Sequence, residues 1–171
     1  MENDELEYSV KRINKLSDPL LESFISCRIE ANKQSKEVRS RLGGHEELRD
    51  LYHRTSSRAA VIASSCWAAV KDGEVIGTVA WYPPGKSLMG DPKEADELQP
   101  AEARIASTYF KEYATRGDPE GKHVLTNSWT LYGLTVRPKY QREGVGWKLM
   151  SIGMEAKRDG AKVIIPKTDD K

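Results

Sequence analysis

Residues 141–148 read Gln-Arg-Glu-Gly-Val-Gly-Trp-Lys, and this short run is where the chain could do chemistry. It follows a strand-like segment and opens a helix-like one. Gly144 and Gly146 carry no Cβ, so the backbone there can take unusual angles and approach a ligand closely. The unpaired N–H groups and the positive dipole end of the helix start suit a phosphate or pyrophosphate. Arg142 and Lys148 could add screening charge, and Arg137 and Lys139 lie just upstream. Gly-X-Gly between strand and helix also serves as a plain structural turn, so the pair of glycines alone does not decide. A P-loop would need Gly-Lys-Ser/Thr where this chain has Gly-Trp-Lys. A dinucleotide fingerprint would need a third glycine where Leu149 stands, near the first strand.

Other reactive residue types give weaker patterns. His45 and His53 are eight apart, two helical turns, which is too far for the usual i, i+4 metal pair, and no metal is expected. His123 sits in a polar stretch and could act as a base. Glu94, Asp96, Glu97 and Glu102 could attract a cationic amine or simply form a solvated face. Tyr82 and Tyr132 could be acids or substrate contacts, although aromatic residues in strands usually pack. Trp67, Trp81, Trp129 and Trp147 are expected to pack on sheet faces or rim a cleft. Cys27 and Cys66 read as buried, reduced fillers.

The elements that must position the 141–146 loop can be read along the chain. Tyr8 to Ile13 suggests an outer or half-buried strand. Asp18-Pro19 marks a helix start, followed by Leu20, Leu21, Phe24, Ile25 and Ile29 at helical spacing. A polar stretch to Gly43-Gly44 ends that helix, and a second is expected over Glu46 to about Arg58, with Leu48, Leu51 and Tyr52 on one face. Cys66–Val70 and Val75–Trp81 form a hairpin whose Asp72-Gly73 supplies positive φ. Residues 83–127 form a long insertion: an exposed loop from Lys86 to Gln99, then a helix marked by Ala101, Ile105, Tyr109 and Tyr113 and stopped at Gly117-Asp118-Pro119. Ser128–Val136 reads as a covered central strand, with Trp129, Leu131 and Gly133 on one face and Tyr132, Leu134 and Val136 on the other. A helix is expected from Val145 to about Arg158, stopped at Gly160, then a short strand Ala161–Ile165. The last strand–helix–strand unit should be a right-handed parallel crossover. The pattern is α/β, a mixed central sheet flanked by helices.

The 171 residues suit one domain, with net charge only +1 and 31% charged residues. No broad basic field is present, so a nucleic-acid partner is not expected. The acidic Met1–Glu7 lacks a signal-peptide core, and Ala59–Val70 is too short to span a bilayer. A cytoplasmic protein with no membrane partner is expected.

The string Leu134-Thr-Val-Arg-Pro, then Tyr140-Gln-Arg-Glu-Gly-Val-Gly, then Leu149 on an amphipathic helix resembles the acyl-CoA-binding signature of the GNAT superfamily of N-acetyltransferases. The resemblance is clearest from Trp129 to Ile165. It implies acetyl-CoA as co-substrate, direct acetyl transfer to a small-molecule amine, and no covalent enzyme intermediate. It implies that Gln141, Arg142, Glu143, Gly144, Val145, Gly146 and Trp147 hold the pyrophosphate, with the residues after Gln141 giving backbone groups. It implies that the main chain of Leu134, Thr135 and Val136 pairs with the pantetheine arm, and that the strand bends near Gly133. The insertion at about 83–127 would shape the acceptor site. The family often places a catalytic carboxylate where this chain has Ser128-Trp129-Thr130, so no catalytic residue is assigned. The family's last helix and closing strands would follow Ile165, where six residues remain, so the fold is expected to lack them. An alternative is therefore a non-catalytic or truncated GNAT-fold protein that binds CoA or a protein partner without turnover. A homodimer stays open, since an uncovered edge strand invites association.

Overall fold

The computed structural model describes residues 6–41, 46, 49–83, 128–155 and 162–164. Readings that fall on the other residues lie outside this set. They include the interior of the 83–127 insertion with its acidic patch, His45, His123 and the helix stop at Gly160.

The elements in order are β1 (Ser9–Ile13), α1 (Leu21–Ala31), α2 (Lys36–Arg41), α3 (Arg49–Ala63), β2 (Ser65–Lys71), β3 (Glu74–Tyr82), β4 (Ser128–Val136), α4 (Val145–Glu155) and β5 (Lys162–Ile164). A 3-10 turn, Pro138–Tyr140, links β4 to the loop before α4. The strands form one five-stranded sheet in the order β1-β2-β3-β4-β5. The first four are antiparallel to their neighbours, and β5 runs parallel to β4. The expected mixed α/β sheet flanked by helices is therefore present.

The β2–β3 turn is made by Asp72 and Gly73 at φ 51° and 80°, the two positive angles that a tight hairpin of right-handed twist requires. The start of α1 differs from the expectation. Asp18 does not cap a helix beginning at Pro19. Its Oδ1 instead accepts the Leu20 N–H at 2.9 Å and its carbonyl accepts the Leu21 N–H at 3.0 Å, so one extra turn precedes the helix. The second expected helix begins at Arg49 and extends to Ala63, and α2 was not expected at all.

Two cores sandwich the sheet. On one side Leu21, Phe24, Ile25 and Cys27 of α1 and Ala60 and Val61 of α3 meet Ile13, Cys66, Ala68, Val70, Val75, Ala80 and Tyr82. On the other, Val145 and Leu149 of α4 meet Ala69, Ile76, Val79, Trp81 and Leu131. Removing each such large side chain from water contributes about 1.5–3 kcal/mol. These two cores fix the sheet between its helices.

Two bulges tune the sheet for its neighbours. The β2–β3 register shifts between Ala69 and Val70, where Ile76 and Gly77 share the place of one residue. A Cβ at Gly77 would lie 2.8 Å from Val145 Cγ1 and 3.0 Å from Leu149 Cδ1, so the glycine lets α4 sit close on β3. The second shift is at Thr78/Ala80, opposite Gly133 at φ 64°. The expected bend at Gly133 is real. It also corrects the facing of β4: the extra residue inverts the alternation, so Val136 packs in the same cluster as Trp129 and Leu131.

Candidate functional site

The site is built at the end of β4. Its pairing with β3 continues down to Gly77↔Val136, while its pairing with β5 covers only Ser128, Trp129 and Thr130. From Leu131 to Val136 the edge turned toward β5 has no strand partner among the described residues. Along such a stretch every second N–H and C=O points away from β3. Leu134 lies on this stretch, 36% exposed, with Thr135 and Val136 half-buried beside it. Thr135 and Thr78 hydroxyls meet at 2.7 Å, and Thr78 Oγ1 donates to Gly133 O at 3.2 Å, which ties the bulge to β3.

The strand then passes into the 3-10 turn. Tyr140 N donates to Arg137 O at 2.9 Å. Gln141 Nε2 donates to Val136 O at 3.0 Å, so this side chain clips the loop to the end of the strand. Arg142 and Gly144 stand at φ 69° and 77° with Glu143 between them outside the left-handed region. Successive residues of opposite hand turn their N–H groups to one side and make a concave anion-binding nest. Gly144 then accepts the Lys148 N–H at 3.0 Å, which makes Gly144 the first residue of the α4 ladder. The N–H groups of Val145, Gly146 and Trp147 have no intrahelical acceptor. They extend the donor array of the nest and add the positive end of the helix dipole.

The two glycines differ in why they are needed. Gly144 has open space around it but a positive φ that side chains rarely take. Gly146 has neither constraint, because a Cβ there would meet only Val136 Cγ2 at 3.6 Å. Packing therefore does not require a glycine at 146. Val145 and Leu149, 1% and 0% exposed, anchor the helix, while Gln141, Arg142, Glu143, Gly144, Trp147 and Lys148 are at the surface.

Of the four cations near the loop, the two upstream ones already have carboxylate partners. Arg137 is buried: its Nε donates to Val75 O at 2.7 Å, its guanidinium pairs with Glu30, and Nη2 lies 3.3 Å from Glu74 Oε1. Lys139 lies 3.7 Å from Glu74 Oε2 and over the Tyr140 ring. Tyr140 first, and Glu74 with it, hold the Lys139 ammonium above its usual pKa. Arg142 and Lys148 remain exposed beside the nest.

Arg28 was not singled out from the sequence. It lies on the apolar side of α1, 3% exposed, and its Nη1 donates to Ser57 Oγ at 2.8 Å. A Cβ on Gly133 would come within 3.1 Å of its Nη2, so the guanidinium is packed against the β4 bulge. Its spacing of four from Phe24 and three from Ile25 was the available signal.

Among the described candidates, Cys27, Cys66, His53 and Tyr82 are buried. Burial pushes the Cys27 and Cys66 thiols from 9.0 to about 11, which suppresses the thiolate a nucleophile needs. His53 is buried edge-on against Tyr52, and no cluster of metal-binding side chains occurs among the described residues. Tyr82 belongs to the α1/α3 core. No helix among the described residues is long and apolar enough to cross a membrane.

The sequence profile of the Acetyltransferase (GNAT) family matches residues 30–169. No curated protein matches the chain. Among solved structures, one described as a histone acetyltransferase HPA2 and related acetyltransferase from Corynebacterium glutamicum superimposes with TM-score 0.61 at 19% identity, over 94% of this chain and 76% of that one. A putative acetyltransferase from Pyrococcus horikoshii gives TM-score 0.54 at 13% identity, over 95% of this chain and 81% of that one. At these identities the structural likeness speaks to fold, and the profile match over most of the chain speaks to descent. A mixed sheet whose fourth strand runs past its neighbour into a glycine-spaced loop, together with that match, places this chain in the GNAT acetyltransferase family, a family of acetyl-CoA-dependent enzymes.

Proposed function

We propose that the chain transfers an acetyl group from acetyl-CoA directly to an amine, with the pyrophosphate in the Gln141–Gly146 loop. The observation that carries this reading is the continuity of the open β4 edge, Leu131–Val136, with the nest at Arg142–Gly144. An extended arm bearing amides would pair along Leu134, Thr135 and Val136. A pyrophosphate at its end would meet the N–H groups of Arg142 to Trp147, and Arg142 and Lys148 would add charge. Glu143 and Val145 contribute backbone groups only, and Gln141 holds the loop through Val136 O. In the transfer the amine gives up a proton, a C–N bond forms, the C–S bond breaks and the CoA thiolate takes up a proton. Charge developing on the carbonyl oxygen calls for a fixed donor, and the backbone at the Gly133 bulge is suited to this. Residues 83–127 leave the sheet after Tyr82 and are proposed to border the acceptor amine.

The test is calorimetry with acetyl-CoA on the wild type, Gly144→Asp and Gly146→Asp. Each aspartate places a carboxylate where the pyrophosphate would lie, and affinity should fall at least about 100-fold, near 3 kcal/mol. Unchanged affinity in both variants would end this reading.

A second reading, binding without turnover, is favoured by one observation: β4 carries no Asp or Glu between Ser128 and Val136. Acetyl-CoA binding with no acetylation across a broad amine panel supports it, and robust turnover rules it out.

A further inference from the structure

We infer that the Trp147 indole is a stacking platform for the adenine ring of the bound cofactor, a side-chain role separate from the backbone donors of the loop. The inference rests on the acetyl-CoA reading above and deepens it.

The four tryptophans of the chain have different surroundings. Trp81 is 0% exposed under α4, and Trp67 and Trp129 pack against the same core. Trp147 alone stands mostly in solvent, at 70% exposure. Among the described residues it belongs to neither core: its position is the third of α4, and the helix is anchored through Val145 and Leu149 instead. Helical side chains lean toward the N-terminus, which carries an indole at this position over the turn occupied by the nest.

The surroundings suit an aromatic base joined to phosphates. Gly146, one residue earlier, carries no side chain, and a Cβ there would meet only Val136 Cγ2 at 3.6 Å. Arg142 and Lys148 are exposed on either side, ready for the phosphates that flank an adenosine. An exposed indole offers a wide, rigid, polarisable face at little conformational cost, and base–aromatic stacking contributes about 1–3 kcal/mol. A purine tethered to a pyrophosphate in the nest would lie within reach of that face. The pantetheine arm leaves the same pyrophosphate in the other direction, along β4. The two halves of the ligand are thus recognised by separate devices, main chain for one and an aromatic ring for the other.

The experiment compares acetyl-CoA with acetyl-4′-phosphopantetheine, which lacks the adenosine half, on wild type, Trp147→Ala and Trp147→Phe. A change at so exposed a position should leave folding within about 0.5 kcal/mol of wild type. Trp147→Ala is expected to weaken acetyl-CoA about 5- to 100-fold and acetyl-4′-phosphopantetheine less than about 2-fold. Trp147→Phe should keep most of the affinity while abolishing the ligand-induced quenching of exposed tryptophan emission. Equal binding of acetyl-CoA by wild type and Trp147→Ala, or equal losses for both ligands, would overturn the stacking role. So would a change confined to the oligomeric mass, which would make the indole a protein contact. Binding abolished by Gly144→Asp yet untouched by Trp147→Ala removes the stacking inference and leaves the acetyl-CoA reading standing. Failure of the wild type to bind acetyl-CoA removes both.

Discussion

Gly153→Ala should destabilise the protein even though the substitution favours helix. An added Cβ would lie 1.7 Å from Trp81 Nε1, 2.2 Å from Cε2 and 2.4 Å from Cδ1. Ordinary contact begins near 3.5 Å, so the helix or the indole must retreat by roughly 2 Å. Neither has room. Trp81 is 0% exposed, and α4 is held on the sheet through Val145 and Leu149 over Gly77. Overpacking typically costs about 1–3 kcal/mol, and moving a whole element belongs at the upper end. Replacing glycine inside a helix returns about 1 kcal/mol through propensity. The net loss is about 2 kcal/mol, which for a chain of this size lowers Tm by about 4–8 °C. Calorimetry gives the Tm, and urea unfolding gives the free-energy difference between the variant and wild type. A raised Tm would mean that propensity governs and that α4 is not seated on Trp81 as described.

Two further outcomes test the surroundings of the site. Arg137→Met should cost about 2 kcal/mol in urea unfolding, mainly because the buried Val75 carbonyl loses its donor, and should leave acetyl-CoA affinity unchanged. A large loss of affinity at unchanged stability would restore Arg137 to the phosphate site. The thiols set an alkaline limit: each deprotonates near 9.0 when unfolded and about 11 when folded. The unfolded chain then binds fewer protons between those values, so stability is level below pH 9 and falls as pH rises through the window. Each thiol accounts for roughly 1 kcal/mol by about pH 10. A Cys27→Ala/Cys66→Ala variant should show a shallower decline over that range, and an identical slope would refute the assignment.

The sequence was most legible where a local rule had no competitor. Asp72-Gly73 demanded positive φ and the hairpin followed. The strand Ser128–Val136 and the start of α4 at Val145 were readable from apolar runs broken by glycines. The misreadings arose where local signals tied or partners were remote. The segment forming α2, Lys36–Arg41, offers one apolar residue, Val38, and so no periodicity to detect. The alanine-rich end of α3, Ala59 to Ala63, looked like an undirected weakly polar run until α1 covered it. Asp18 could cap a helix or close a turn onto Leu20, and its neighbours did not distinguish these. Arg137 looked like a phosphate cation because it sits beside the loop in sequence. Its carboxylate partner Glu30 belongs to α1, and only the folded sheet brings them together. The facing of Val136 could not be read by counting, since a single bulged residue reverses the parity of everything beyond it.

The pairing of Tyr82 with Thr130 closes residues 83–127 at their base. The chain leaves the sheet and returns to it at nearly one point. Closing such an excursion costs only about 0.6 kcal/mol more for each doubling of its length. On closure entropy alone, the Tyr82–Thr130 pairing sets little limit on how many residues the chain carries between those two points. Descendants could lengthen, shorten or rewrite it while the β2–β3 hairpin and the Gln141–Gly146 loop stayed unchanged. Under the acceptor role proposed for this segment, cofactor use and acceptor choice become separately inheritable. New amines could then be tried against a fixed acetyl donor.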